Sequence, residues 1–285
     1  MTSPPRMFDR DLLLRRRARA RAQGGADFLH EAVAVEMSER LEEVNRTFRR
    51  AAVVTSNRAV WEKNFDSAGF DEFRIIDDDE VLKVDEGSCD LVIHALALHW
   101  ANDPVGQLVQ AKRALVPDGL LLAAMFGGES LHELRACFAE AEIEILGGLS
   151  PRVAPMGEIR DLGGLLQRAG LALPVADSHA LTVRYGSALH LMRDLRAMGE
   201  TNVMVDRHRR PLRRSMLMRV AEIYAERFGG EDGLIPATFE LVYLTGWSPS
   251  PDQQKPLRPG SAAGRLADAL GVPELSAGEK AGKGS

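Results

Sequence analysis

Two histidines, an indole and a few carboxylates and amides are the groups of this 285-residue chain best suited to chemistry. His94 and His99 bracket the end of the apolar run CDLVIHALALHW, and Trp100 follows directly. An imidazole at a strand exit can take a proton or fix a ligand; a structural histidine closing the strand fits the pattern as well. Three successive acids, Asp77, Asp78 and Asp79, end a second apolar stretch. A carboxylate there, about 20 residues after a strand–helix turn, is where nucleotide-binding α/β folds hold a ribose hydroxyl; a solvated strand exit would look the same. The segment AMGETN contributes Glu200 and Asn202. Asn102 and Asp103 before Pro104 form a helix-cap pattern, and Glu133 and Arg135 read as surface residues of a later helix. No histidine has a second ligand at metal spacing, and no nucleophilic triad or phosphate-cradling Walker loop is present.

The elements that must position these groups alternate in kind. AAVV is a short β-branched strand, followed by a turn, Thr55-Ser56-Asn57-Arg58, and a helix carrying Val60, Trp61 and Phe65. Phe73 to Ile76 is a second strand, and CDLVIHALALHW a third, apolar enough to be buried on both faces. Pro104 to Leu115 reads as a helix, VPDGLLLAAMFGG as a turn and strand, and Ser130 to Leu146 and Leu162 to Arg168 as helices, the last stopped by Gly170. ALTVRY and ATFELVYLTGW read as strands, with helices Ala188 to Met198 and Leu212 to Phe228 between them. Asp27 is placed to cap a helix reaching Leu41. This alternation predicts an α/β fold with a mostly parallel sheet and helices on both faces. The expected division is a helical, Arg-rich segment at 1–46, a main domain at 47–248 with a helical cap near 186–228, and a Pro/Gly/Ser-rich tail at 249–285 with one turn of helix near Leu266.

Hydrophobic residues make up 45% of the chain and charged residues 27%, enough apolar content for a sizeable core. The net charge of -5 argues against nucleic acid as a partner, and no apolar run approaches the roughly 20 residues of a membrane helix. Cys89 and Cys137 sit in apolar patterns, so buried free thiols in a reducing, cytoplasmic setting are expected. The charge is uneven: RMFDRDLLLRRRARARAQ is an Arg-faced helix, either solvated or docked on an acidic partner or an anionic membrane surface.

The stretch DLVIHALALHWANDP…ALVPDGLLLAAMFGG resembles the second half of a class I S-adenosylmethionine (SAM)-dependent methyltransferase. With FDRDL, FGGESLHELR, GGLSPRVAP, LGGLLQRAG, DLRAMGETN and PATFELVYLTGW, the chain is similar to the methyltransferase-like assembly factors of respiratory complex I, relatives of the malonyl-carrier-protein methyltransferases. That resemblance implies a Rossmann-like fold with a helical insertion before the last, antiparallel strand. It implies SAM as cofactor, held by Thr55, Asn57, Asp77 or Asp78, His94, Ala95 and Leu96, and a substrate met by Trp100, Glu200 and Asn202, with His99 as the base of an SN2 transfer. It also implies a complex I subunit or assembly intermediate as protein partner, and allows peripheral membrane contact.

Two departures bear on that expectation. The family's loop runs acidic-x-Gly-x-Gly-x-Gly, whereas here Val53 stands at the acidic position and Thr55, Asn57 and Ala59 at the glycines. Alanine is tolerated at the third and asparagine can visit the left-handed region, but β-branched Thr55 suits a positive φ poorly and Val53 accepts no hydrogen bond. Secondly, the segment between this turn and the DLV strand has room for one strand where the family has two, which would trim the sheet at its edge. Three functions follow from the resemblance: a methyltransferase, an assembly or scaffold protein that has lost SAM, and a peptidyl-arginine hydroxylase.

Overall fold

A computed structural model describes residues 6–65 and 69–253. Met1–Ser250 form one compact unit, and Pro251–Ser285 a second of which only 251–253 are described, so the expected helical turn near Leu266 lies outside the described residues. The chain begins with helices α1 (Arg10–Ala22) and α2 (Phe28–Glu43), then alternates through β1 (Arg50–Val54), α3 (Arg58–Phe65), β2 (Glu72–Ile76), β3 (Cys89–Ala95), α4 (Pro104–Ala114), β4 (Leu115–Phe126), α5 (His132–Leu146) and α6 (Ile159–Arg168). It ends with β5 (Ala172–Tyr185), α7 (Ala188–Met198), α8 (Arg214–Phe228) and β6 (Ile235–Trp247). Among the described residues no helix is long and apolar enough to cross a membrane.

One six-stranded sheet runs in the order β2-β1-β3-β4-β6-β5. β1 pairs in parallel with β2 and β3, β3 pairs in parallel with β4, and β6 is antiparallel to both β4 and β5. The missing strand–helix unit is therefore lost from the edge, as its length predicts, and β2 takes the outer place beside β1. Side chains of β1, β3 and β4 alternate between two buried layers with the period of two that a pleated strand requires. Val53, Ile93 and Leu122 enter the core with α2, α3, α5, α7 and α8. Val54, Val92 and Leu121 face α4 and α6. Both faces are covered, which explains the near-continuous apolar runs. The cysteines are buried free thiols, and burial pushes Cys137 up to about 11.

Two expected surface or capping roles are corrected. Glu133 is buried, receiving Thr238 N–H at 3.2 Å and Thr238 Oγ1–H at 2.5 Å, and so ties α5 to β6. Asp27 makes no side-chain cap to α2; its carboxylate accepts from Asn57 Nδ2 at 2.6 Å.

One side chain helps to hold the alignment of β1 on β3. Asp90 accepts from Arg49 N at 3.1 and 2.9 Å and from Arg50 N at 2.9 Å, holding the start of β1. Asp90→Ala should lower unfolding stability by about 0.5–1.5 kcal/mol, the net worth of a partly exposed hydrogen bond. Asp90→Asn, which keeps one acceptor, should recover part of it. Urea denaturation of the two variants measures the difference, and equal losses would contradict the assigned role.

Candidate functional site

Ligands of open α/β sheets bind beyond the carboxyl ends of the parallel strands, at the point where strand order reverses. Here that point lies between β1 and β3. The turn after β1 is closed on itself. Thr55 is buried, its N–H donates to Ile76 O at 3.0 Å, and its Oγ1 accepts from Asn57 N at 3.1 Å. Ser56 O accepts from Arg21 at 2.8 Å, and Arg58 donates to Ile75 O at 3.2 Å. Neither Thr55 nor Asn57 has a positive φ. The backbone thus avoids the left-handed turn that glycines would permit, and Asn57 does not stand in for one. After β3 the chain does take that conformation, at buried Leu96 (φ 47°), whose N–H donates to Ala124 O at 3.0 Å. That strained residue swings the chain into the 3-10 turn Leu98–Trp100.

The centre of the edge is filled by α1. Arg10, Leu13, Arg17 and Ala20 recur at helical spacing and form its inward strip. Arg17 is 3% exposed, and its Nη1 donates to Asp78 Oδ2 at 2.8 Å. Arg10 bonds the same oxygen at 3.3 Å and also the Asp78 carbonyl. Burial alone would raise the Asp78 pKa, but Arg17 and then Arg10 hold it below the ordinary aspartate value. Two donors of Arg17, Nε and Nη2, are buried without a partner. The Arg-faced helix is therefore neither wholly solvated nor wholly outward.

The N-terminal end of α1 is pinned. Phe8 N donates to Asn102 Oδ1 at 2.9 Å, and Asn102 Nδ2 donates to Phe8 O at 3.1 Å. Phe8 also bridges to Met204, with Asp9 N on Val203 O and Val205 N on Met7 O, both at 2.9 Å. Its ring meets Trp100 edge-on at 5.1 Å. Asp103 alone caps α4, accepting from Gly106 N at 2.7 Å. Asn102, paired with it in the sequence reading, is a clamp on the N-terminal segment.

Arg17 itself lines neither of two cavities at this end of the sheet. One, of about 560 Å³, is lined by Trp100, Glu200 and Asn202 among others. The second, of about 310 Å³, is lined by Arg10, Asp78, His94 and Gln107 among others. Thr55, Asn57, Asp77, Ala95, Leu96 and His99 line neither of these two. Asp77 is exposed and Asp78 buried, so the two candidate acids point to different surroundings. His94 Nε2 lies 3.3 Å from Gln107 Oε1. Gln107 Nε2 already donates to Asp79 O and Glu80 O, which fixes its oxygen toward the imidazole and makes His94 Nε2 the protonated nitrogen. His99 Nε2 approaches Glu200 Oε2 at 3.1 Å, and Trp100 Nε1 donates to the same oxygen at 2.6 Å. Burial works against the Glu200 carboxylate, but His99, Arg17 and Trp100 together hold its pKa below the usual glutamate value. His99 Nδ1 is buried and unpartnered. The imidazole thus presents one nitrogen to Glu200 and keeps the other, Nδ1, buried, an arrangement that positions Glu200. Asn202 spends its amide on the backbone: Nδ2 donates to Pro151 O at 2.6 Å and Arg152 O at 3.1 Å, and Oδ1 accepts from Met204 N at 2.9 Å.

Sheet order, the strand-end crevice and the helical insertion between β5 and β6 define the class I methyltransferase fold, and a methyltransferase-domain family matches residues 25–123. Within that class the relatives are close over most of the chain. The mitochondrial arginine-hydroxylase NDUFAF5 of Danio rerio is 35% identical over 270 residues, covering 87% of this chain and 84% of its own. The Homo sapiens NDUFAF5 is 33% identical over 287 residues, 92% of this chain and 83% of its own. The chain belongs to the NDUFAF5 family. A malonyl-[acyl-carrier protein] O-methyltransferase of Halorhodospira halophila is 36% identical over 162 residues, 57% of this chain and 53% of its own.

Burial lowers the pKa of His94 to about 4 and, likewise, that of His30 to about 4. Both are neutral in the fold and regain a pKa near 6.5 on unfolding, so between those values the unfolded chain binds more protons. Stability should be fully present above pH ~6.5 and fall as pH drops toward ~4, by on the order of 3 kcal/mol per histidine. Urea denaturation across that range should show the decline, with a shallower slope for His94→Asn. A midpoint constant over the window would contradict the buried neutral assignment.

Proposed function

We propose that this chain is an assembly factor of the respiratory complex I type that holds a protein client and does not consume SAM. The observation that carries the proposal is Arg17. Its guanidinium bonds Asp78, which lines one cavity, while its charge acts on Glu200, which lines the other. A helix side chain thus bonds a residue of one cavity and acts electrostatically on a residue of the other.

The residues present do not fit SAM. A sulfonium beside an α-ammonium group needs acidic or carbonyl partners, and the strand position that would provide an acid is Val53, fully buried among apolar neighbours. Asp78 is committed to two guanidinium groups, and Glu200 Oε2 to His99 and Trp100. The turn at Thr55 offers no glycine for close backbone approach, and the buried cation nearest the cleft is of the same sign as the sulfonium. Arginine hydroxylation, for which the NDUFAF5 relatives are named, meets an electrostatic obstacle: Arg16, Arg19 and Arg196 line the larger cavity against one acid, Glu200, while Arg152 there is paired with Glu142. Such a field disfavours an incoming guanidinium.

Calorimetric titration with SAM should release no binding heat, and the melting temperature should not move at millimolar ligand. Saturable binding would overturn the cofactor half of the proposal, because ligand at 100 times its dissociation constant stabilises by about 2.7 kcal/mol. The tagged chain recovered from its own cells should carry complex I subunits, and a clean preparation without them would overturn the client half.

A further inference from the structure

We propose that the larger cavity binds an anionic amphiphile, an unbranched apolar tail bearing a carboxylate or phosphate head. This inference stands on the cavity alone and holds whether or not SAM binds. The volume of about 560 Å³ lies in the ordinary range for small-molecule sites, about 300–1,000 Å³. Its walls are apolar and come from four elements of the fold: Phe126, Leu134, Phe138, Met192, Leu195 and Phe239, drawn from β4, α5, α7 and β6. All six are buried side chains of the protein that still border open space, so an apolar ligand gains contact there without displacing a polar partner.

The mouth has the opposite character. Arg19 and Arg196 are exposed and stand in no ion pair among the described residues, next to half-buried Arg16. Arg16 donates only to neutral oxygens, Thr201 Oγ1 at 2.9 Å and the Asn202 carbonyl. Burial, and then the like charge of Arg207, push the Arg16 pKa below its ordinary value; Asp9 offsets part of this and Arg196 adds to it, so an anion at this point is favoured. The remaining lining arginine, Arg152, is neutralised by Glu142 at 2.5 Å and takes no part. The one acid in the lining, Glu200, has its Oε2 turned to His99 and Trp100. Guanidinium groups at the opening of an apolar chamber match a ligand with an anionic head and an apolar body.

The test is displacement of 1-anilinonaphthalene-8-sulfonate from the full chain. Dodecanoate should displace the dye at least tenfold more effectively than dodecyltrimethylammonium, which has the same tail and the opposite charge. From octanoate to dodecanoate the affinity should tighten about fourfold per methylene. Arg19→Glu with Arg196→Glu, both exposed side chains, should erase the preference for the anion while leaving the melting temperature in place. Leu134→Trp should block both ligands by filling the chamber; should it fail to fold, the charge-reversal variant and the tail series still decide. Stronger displacement by lysophosphatidate than by dodecanoate would assign the head to a lipid phosphate, and the reverse to a free fatty acid. Equal displacement by anion and cation, or an unchanged preference in the charge-reversal variant, would overturn the proposal.

Discussion

Asp78 holds two guanidinium groups inside the protein at the point where the parallel strands end, with Arg17 Nη1 at 2.8 Å and Arg10 Nη1 at 3.3 Å from one carboxylate oxygen. Each buried ion gives up several kcal/mol of hydration, and such clusters persist only with good geometry and full pairing. Pairing here is incomplete, since Arg17 Nε and Nη2 have no acceptor. The deficit is carried by the surrounding packing. Phe8 is clamped by Asn102 and by the 203–205 segment, Leu13 and Ala20 are buried beside the arginines, and Gly199 (φ 81°) leaves no Cβ where Arg17 Cγ passes, 2.9 Å from such an atom's place. The N-terminal helix is thereby packed into this end of the sheet, beside Asp78 and Gly199.

The sheet itself is indifferent to these changes. Its parallel order is held by Val53, Ile93 and Leu122 on one face and by Val54, Val92 and Leu121 on the other. None of these positions requires a glycine turn or a cofactor. Loss of the acidic residue at position 53 even favours the fold, because Val53 is fully buried and a carboxylate there would be desolvated without a partner. A chain of the NDUFAF5 family can thus keep the architecture with valine at this position.

Most of the fold was legible in the sequence because periodicity and turn residues report burial directly. The strand at Phe73 to Ile76, the edge deletion and the helix Ala188 to Met198 all stand where the pattern places them. The site was legible only in part. His94 and Asp78 line the smaller cavity and Trp100, Glu200 and Asn202 the larger, but their hydrogen-bond partners were hidden. Arg10 and Arg17 read as polar in any hydrophobicity count, although the spacing Arg10, Leu13, Arg17, Ala20 is that of a buried helical strip. Glu133 misled for the same reason: a charged residue on a helix is taken for surface until its partner, Thr238, more than a hundred positions away, is known. Asn102 beside Asp103 looked like a cap because sequence shows neighbours in the chain and not Phe8 across the fold.

The closing of the crevice by Arg17 and Asp78 is tested most directly by a double-mutant cycle on unfolding free energy, with Arg17→Met, Asp78→Asn and the pair. Breaking one side of a buried ion pair costs about 3–5 kcal/mol, and removing both restores much of that loss. The interaction energy should therefore reach at least about 2 kcal/mol, with the double variant more stable than the sum of the single changes implies. Additive effects, agreeing to within about 0.5 kcal/mol, would show that the two side chains do not depend on each other, and the crevice would then be held by something other than this pair.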